Sequence, residues 1–123
     1  MLIPAALENQ IRADNVSKIK AKVVFELANG PTTPEADDVL FAQGVPVVPD
    51  ILANSGGVSV STFEWEQNLK GEKWSEEQVF EKLKAMMQKE AAAILSRSRE
   101  LKTDLRRAAF VVALERIQEA MNK

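Results

Sequence analysis

The chain has 123 residues, 46% hydrophobic and 28% charged, which is room for one ordinary domain with a core and too apolar for wholesale disorder. It contains no cysteine and no histidine. That excludes disulfides, thiolate nucleophiles, Cys/His zinc sites, Ser-His-Asp triads and imidazole acid or base chemistry, and leaves any reaction to carboxylates, lysines, hydroxyls, amides or a cofactor.

The net charge of −2 divides into four basic and seven acidic side chains in the first sixty residues and twelve and eleven in the remainder. With no basic patch or tail, no nucleic-acid partner is expected. No apolar run reaches the roughly 20 residues that span a bilayer, and Met1-Leu2-Ile3-Pro4 lacks a charged n-region. No membrane association is expected, and the cytoplasm is the expected compartment, in keeping with the absence of cysteine.

Three short apolar runs punctuate the first half: Leu2-Ile3-Pro4-Ala5-Ala6, Lys22-Val23-Val24-Phe25-Glu26-Leu27-Ala28 and Val45-Pro46-Val47-Val48-Pro49. Near-continuous rather than alternating, they read as strands covered on both faces, as in a parallel sheet. A short helical piece around Asn15 to Ile19 joins the first two. Between the second and third, Thr33 as N-cap, Pro34 in the first turn, Glu35 and Asp37 at the positive end of the dipole and Gly44 as the stop predict a helix, hence a βαβ crossover.

From Gly57 onward the period turns helical. Val58, Ser61, Phe63, Trp65 and Leu69 predict a helix that ends at Lys70-Gly71. Ser75-Glu76-Glu77-Gln78 reads as a capping box that opens a long helix carrying Val79, Phe80, Leu83, Met86, Met87, Ile94 and Leu95. A last helix begins near Thr103, and its stretch Ala108 to Leu114 is apolar almost all round, so it needs partners on more than one side. The tryptophans and Met86-Met87 read as core. Arg97, Arg99, Lys102, Arg106 and Arg107, offset by Glu100 and Asp104, read as a solvated helix junction. The acidic pairs Glu64 with Glu66, Glu76 with Glu77 and Asp37 with Asp38 do not face one another on a helix and read as caps or solvated faces.

The predicted fold class is therefore α/β: an incomplete parallel sheet of about three strands, partly Rossmann-like, followed by C-terminal helices. A chain that begins inside a strand and offers so few of them is half a sandwich. Apolar surface is expected on it, covered by another copy or by the rest of a larger domain.

In an open parallel sheet, ligands gather beyond the carboxyl ends of the strands. Here those ends carry Pro4-Ala5-Ala6, Ala28-Asn29-Gly30-Pro31-Thr32-Thr33, and Asp50-Ile51-Leu52-Ala53-Asn54-Ser55-Gly56-Gly57. Each asparagine offers an amide donor and acceptor, and Gly56-Gly57 permits close approach at a helix start. Singly these are ordinary turn and cap chemistry; their common position at one sheet edge is what marks a site.

The segments Glu26-Leu27-Ala28-Asn29-Gly30-Pro31-Thr32-Thr33-Pro34-Glu35-Ala36-Asp37 and Val48-Pro49-Asp50-Ile51-Leu52-Ala53-Asn54-Ser55-Gly56-Gly57-Val58-Ser59-Val60-Ser61-Thr62-Phe63-Glu64-Trp65 closely resemble the glutamate, leucine, phenylalanine and valine dehydrogenase family. The likeness runs from Ile3-Pro4-Ala5-Ala6-Leu7-Glu8-Asn9-Gln10 through Gln67-Asn68 and Trp74, and Phe63-Glu64-Trp65 points to the glutamate branch. Ser55 and Thr62 depart from it, standing where the family usually has Ala and Tyr.

The resemblance implies reversible oxidative deamination of L-glutamate to 2-oxoglutarate and ammonia, with NAD or NADP as the cofactor of the complete enzyme. It places Ala5 and Ala6 beside the cofactor ribose, Asn29 and Asn54 at the nicotinamide end, Val58 in the substrate side-chain pocket and Ser61 on the substrate's side-chain carboxylate. It assigns residues 1–70 to the second half of a Rossmann-like coenzyme domain and 71–123 to a C-terminal helical segment. It assigns no catalytic residue and no metal ligand to this chain. The family's glycine-rich pyrophosphate loop, acidic ribose partner and catalytic lysine and aspartate lie upstream of the matched region. The chain alone is therefore expected to be inactive, to bind the coenzyme weakly if at all, and to associate with itself or with the missing domain. The alternative reading is a non-catalytic interaction or oligomerisation module derived from such an enzyme.

Overall fold

A computed structural model describes residues 1–122. Its central element is a parallel pair of two-residue strands, β1 (Val24–Phe25) and β2 (Val47–Val48), in the register Val24 to Val47 and Phe25 to Val48. The helix α1 (Pro34–Ala42) connects them, so the βαβ crossover is as expected. Thr33 precedes α1 with extended backbone and Pro34 takes the first position, but the Thr33 hydroxyl makes no capping bond and is buried without a partner. Gly44 follows with φ +70°, a left-handed conformation that favours glycine.

The expected count of about three strands is corrected to two. Leu2 does lie beside β1, bridging Val24 in parallel, with Leu2 N donating to Val23 O at 3.0 Å and Phe25 N to Leu2 O at 2.9 Å. Pro4 ends the ladder there. It has no N–H to give, and its carbonyl instead accepts from both Leu27 N (3.0 Å) and Ala28 N (2.9 Å). Prolines trim β2 in the same way, since Pro46 and Pro49 bound its two residues. The helical piece between Asn15 and Ile19 is one 3-10 turn, Val16–Lys18.

Consecutive strand residues point to opposite faces, and each face has its own core. Val24 and Val47 pack with Ile11, Val16, Ala36 and Leu40 on the α1 side. Val48 packs against Leu52, Ile94, Ala108 and Ala109 on the other. That second core is built by α2 (Asp50–Ala53), α4 (Glu76–Leu101) and α5 (Leu105–Met121).

The helix α3 (Ser55–Lys70) starts two residues before the expected Gly57 and ends as expected at Gly71, whose φ is +66°. Only Phe63 of its apolar residues is buried; Val58 is 66% exposed, Trp65 62% and Leu69 69%. The expectation of Trp65 as core is thus overturned. Trp74 does pack, with its ring centroid 6.0 Å from that of Phe63, and Lys82 Nζ lies 4.2 and 4.5 Å from the Trp74 and Phe63 centroids, joining α3 to α4.

The capping box opens α4 as predicted: Ser75 Oγ accepts from Gln78 N (3.3 Å) and Gln78 Oε1 from Ser75 N (2.8 Å). The last helix begins at Leu105 rather than Thr103, because Asp104 Oδ1 accepts from Arg107 N at 2.8 Å and is the N-cap. It runs back along α4, tied by Arg116 to Glu90 (2.7 Å) and by Arg97 to Glu115. Ala108 and Ala109 meet the core, while Phe110, Leu114, Ile117 and Met121 are more than half exposed. Among the described residues, no helix is long and apolar enough to cross a membrane.

Candidate functional site

Beyond β1 the chain continues through Glu26 to the loop Leu27-Ala28-Asn29-Gly30, and beyond β2 through Pro49 to α2 and the start of α3. The two stretches meet. Asn54 Nδ2 donates to Asn29 Oδ1 at 2.7 Å and to Leu27 O at 3.3 Å. Asn54 precedes α3 yet makes no side-chain cap bond to it; its amide is committed across the loop instead.

Gly30 bends the loop with φ +55°, and its N–H donates to Asp50 Oδ2 at 2.7 Å. Asp50 in turn donates its backbone N–H to Glu26 Oε2 at 2.9 Å, while its Oδ1 accepts from Ile51 N at 2.8 Å. Glu26 is wholly buried. It is held there by Arg106 of α5, whose Nη2 lies 2.8 Å from both Glu26 oxygens. The same guanidinium donates through Nη1 to Asp50 Oδ1 (2.9 Å) and through Nε to Asp37 Oδ2. One cation therefore joins carboxylates from the residue after β1, from α1 and from the start of α2.

Burial opposes the Arg106 charge, but the bonds to Asp37 and Glu26 outweigh it and hold the guanidinium above its ordinary pKa. Asp37 moves upward as well: burial is the largest influence on it, only partly offset by Arg106. The two directions are compatible because one cation is shared. Glu26 and Asp50 also accept backbone N–H bonds, whereas among the described residues Asp37 draws only on Arg106.

Of the residues expected at the site, Asn29 and Asn54 are brought into direct contact. Ala5 and Ala6 are exposed and follow Pro4, whose carbonyl is bonded to the Leu27-Ala28 backbone; they line an open groove of about 400 Å³ together with Leu2, Gln10 and Ile19. Val58 and Ser61 lie one and two turns along α3 from Asn54, both exposed. Ser61 Oγ donates to Gly57 O at 3.2 Å. A Cβ built on Gly57 would meet no atom within 4 Å, so the first turn of α3 stands open to an approaching molecule.

Sequence reasoning missed Glu26, Asp37, Asp50 and Arg106 as a unit, and the reading of Arg106 as part of a solvated junction is overturned. The available signal was Glu26 itself: a carboxylate inside the apolar run Val23 to Ala28 must find a cation if the strand is covered on both faces.

The profile of the Glutamate/Leucine/Phenylalanine/Valine dehydrogenase family matches residues 1–123. Over 122 residues the chain is 51% identical to an NADP-specific glutamate dehydrogenase of Synechocystis sp., covering 99% of this chain and 28% of that protein. Over 120 residues it is 49% identical to an NAD-specific glutamate dehydrogenase of Staphylococcus aureus, covering 98% and 29%. Its fold superposes on the crystal structure of glutamate dehydrogenase from Peptoniphilus asaccharolyticus with a TM-score of 0.92 at 47% identity, covering 98% of this chain and 30% of that one. The chain thus spans less than a third of the length of these relatives.

Proposed function

The chain belongs to the glutamate, leucine, phenylalanine and valine dehydrogenase family, and we propose that its sheet edge is the nicotinamide end of a coenzyme site serving the oxidative deamination of L-glutamate. The observation that carries this is the Asn54 to Asn29 bond. With Asn54 Nδ2 donating to Asn29 Oδ1 and Leu27 O, the pair keeps Asn29 Nδ2 as a donor and Asn54 Oδ1 as an acceptor. That set complements a carboxamide, which presents one carbonyl and one NH2. NAD and NADP share that end, so both are compatible with it; relatives of either specificity match this chain.

When bound, the coenzyme supplies the hydride acceptor. The chain's own residues orient it: the asparagines fix the carboxamide, Ala5 and Ala6 admit the ribose past small side chains, and open Gly57 lets the ring approach the helix start. On the exposed face of α3, Val58 contacts the substrate's aliphatic part, and Ser61 turns its one hydroxyl hydrogen from Gly57 O to the substrate's side-chain carboxylate. These are positioning roles. Residues 1–70 act as the second half of a Rossmann-like coenzyme domain and 71–123 as a helical segment bracing it, in a cytoplasmic enzyme. No Gly-x-Gly-x-x-Gly occurs in the 123 residues, and by themselves they do not turn over glutamate.

Titrating the labelled chain with NAD and with NADP tests the reading. The Asn29 and Asn54 side-chain amides and the Gly57 amide are expected to shift with either, with weak affinity; spectra that stay unchanged at millimolar coenzyme overturn it. Coenzyme reduction by the purified chain with glutamate would overturn the claim of inactivity.

A second reading, a self-associating module, is favoured by a different observation: Phe110, Leu114, Ile117 and Met121 form one exposed apolar stripe along α5.

A further inference from the structure

The geometry points to Arg106 as the positioning residue of the coenzyme edge: it sets the Asn29 to Asn54 geometry from α5, through Asp50 and the Gly30 backbone. The inference rests on the coenzyme reading for its purpose but not for its mechanics. Arg106 touches neither asparagine. It bonds Asp50 Oδ1 at 2.9 Å, and the other oxygen of Asp50 accepts Gly30 N at 2.7 Å, the residue directly after Asn29. Asp50 also opens α2, and Asn54 N donates to Asp50 O at 3.1 Å. Both asparagines are therefore placed relative to one residue, Asn29 through the Asp50 carboxylate that holds the next amide and Asn54 through the Asp50 backbone carbonyl, and Arg106 orients that residue.

Glu26 completes the arrangement. Its two oxygens take Arg106 Nη2, and one of them also takes Asp50 N, so the end of β1 and the start of α2 are held at a common height by the guanidinium. Replacing a buried ion cluster with well-packed apolar groups usually costs no stability. What this cluster provides that apolar packing cannot is direction: a planar fork that bonds several carboxylates at fixed angles. A lysine keeps the charge and loses the fork.

The test uses the full chain and its Arg106→Lys variant, comparing amide exchange at Gly30 with that at Leu40 and Phe63, together with the side-chain amide shifts of Asn29 and Asn54. The expected result is a rise of about tenfold or more in Gly30 exchange, from loss of local protection, with Leu40 and Phe63 within about twofold of their original rates. The asparagine amides should move toward the shifts of solvated asparagine. Uniform acceleration at all three amides, or none, overturns the inference. If Arg106→Lys unfolds the chain, Asp50→Asn carries the same expectation, because it cuts the link at its middle. Adding NAD or NADP separates the two proposals. A coenzyme that leaves the unsubstituted chain's asparagines unmoved defeats the site reading while the exchange pattern still decides the role of Arg106.

Discussion

Asn54 Nδ2 donates to Asn29 Oδ1 at 2.7 Å, joining residues 25 positions apart at the carboxyl edge of the sheet. The contact sets the polarity of both amides. Asn54→Asp replaces the donor with an anion that faces two acceptors, Asn29 Oδ1 and Leu27 O. The expected stability loss is about 0.5–1.5 kcal/mol, that of a neutral hydrogen bond, with coenzyme-induced shifts abolished at Asn29. Urea unfolding and an NMR titration measure the two; retained shifts at Asn29 would count against the carboxamide role.

Gly57→Ala separates stability from binding in the opposite sense. Gly57 lies in the first turn of α3, and its φ is not positive, so an added methyl strains nothing and finds open space. Alanine is the better helix former, by up to about 1 kcal/mol. The variant should unfold at higher urea than the unsubstituted chain yet bind NAD and NADP more weakly, because the methyl fills the opening at the helix start. Equal or stronger coenzyme binding would move the nicotinamide away from Gly57.

Glu26 is the most committed of the carboxylates, wholly buried and bonded to Arg106 through both oxygens. Glu26→Ala leaves the guanidinium short of a partner in a covered site, and breaking a buried pair from one side costs about 3–5 kcal/mol. A loss below about 1 kcal/mol in urea unfolding would mean that water solvates Arg106 in place of Glu26.

Asp37 gives the pH dependence. Its folded pKa is raised, chiefly by burial, so between the ordinary carboxyl value near 4 and the raised one the folded chain binds more protons than the unfolded chain. Its contribution to stability therefore falls as pH rises through that window. Asp37→Asn removes the titration, and the stability of the variant relative to the unsubstituted chain should rise as pH increases from about 4 through the raised Asp37 value. Urea unfolding at a series of pH values measures it; a difference that stays flat or shrinks rules the assignment out.

How far these features are legible in the sequence depends on the range of the interaction. Ser75 with Gln78, Pro34 after Thr33, and Gly71 after Lys70 are decided within four residues, and the helix boundaries they predict stand. Strand extent is harder to read. The runs were apolar enough for three strands, but Pro4, Pro46 and Pro49 withhold the donors a longer ladder needs. The role of Arg106 is hidden in the sequence because its neighbours Glu100 and Asp104 offer adequate local partners, while its actual partners lie 56 to 80 positions away. That Asn29 and Asn54 meet is legible from topology: both follow strands, and parallel strands deliver their ends to one edge. Periodicity gave α3 its helix but not its orientation, since Val58, Trp65 and Leu69 face outward rather than into the core.

The α5 stripe carries the last prediction. Phe110, Leu114, Ile117 and Met121 follow one another at four-, three- and four-residue steps, the spacing of a single helical face, and all are more than half exposed. The opposite side of the helix is occupied, with Ala108 and Ala109 buried against Ile94 and Leu52, so the stripe has no second way to turn inward. A continuous apolar face of this kind is driven to find cover in water. The chain should therefore self-associate in a concentration-dependent way in sedimentation equilibrium, and Phe110→Glu combined with Leu114→Lys should leave it monomeric with its helical content unchanged. A chain that stays monomeric at millimolar concentration would defeat the module reading and leave the coenzyme edge as the function these residues support.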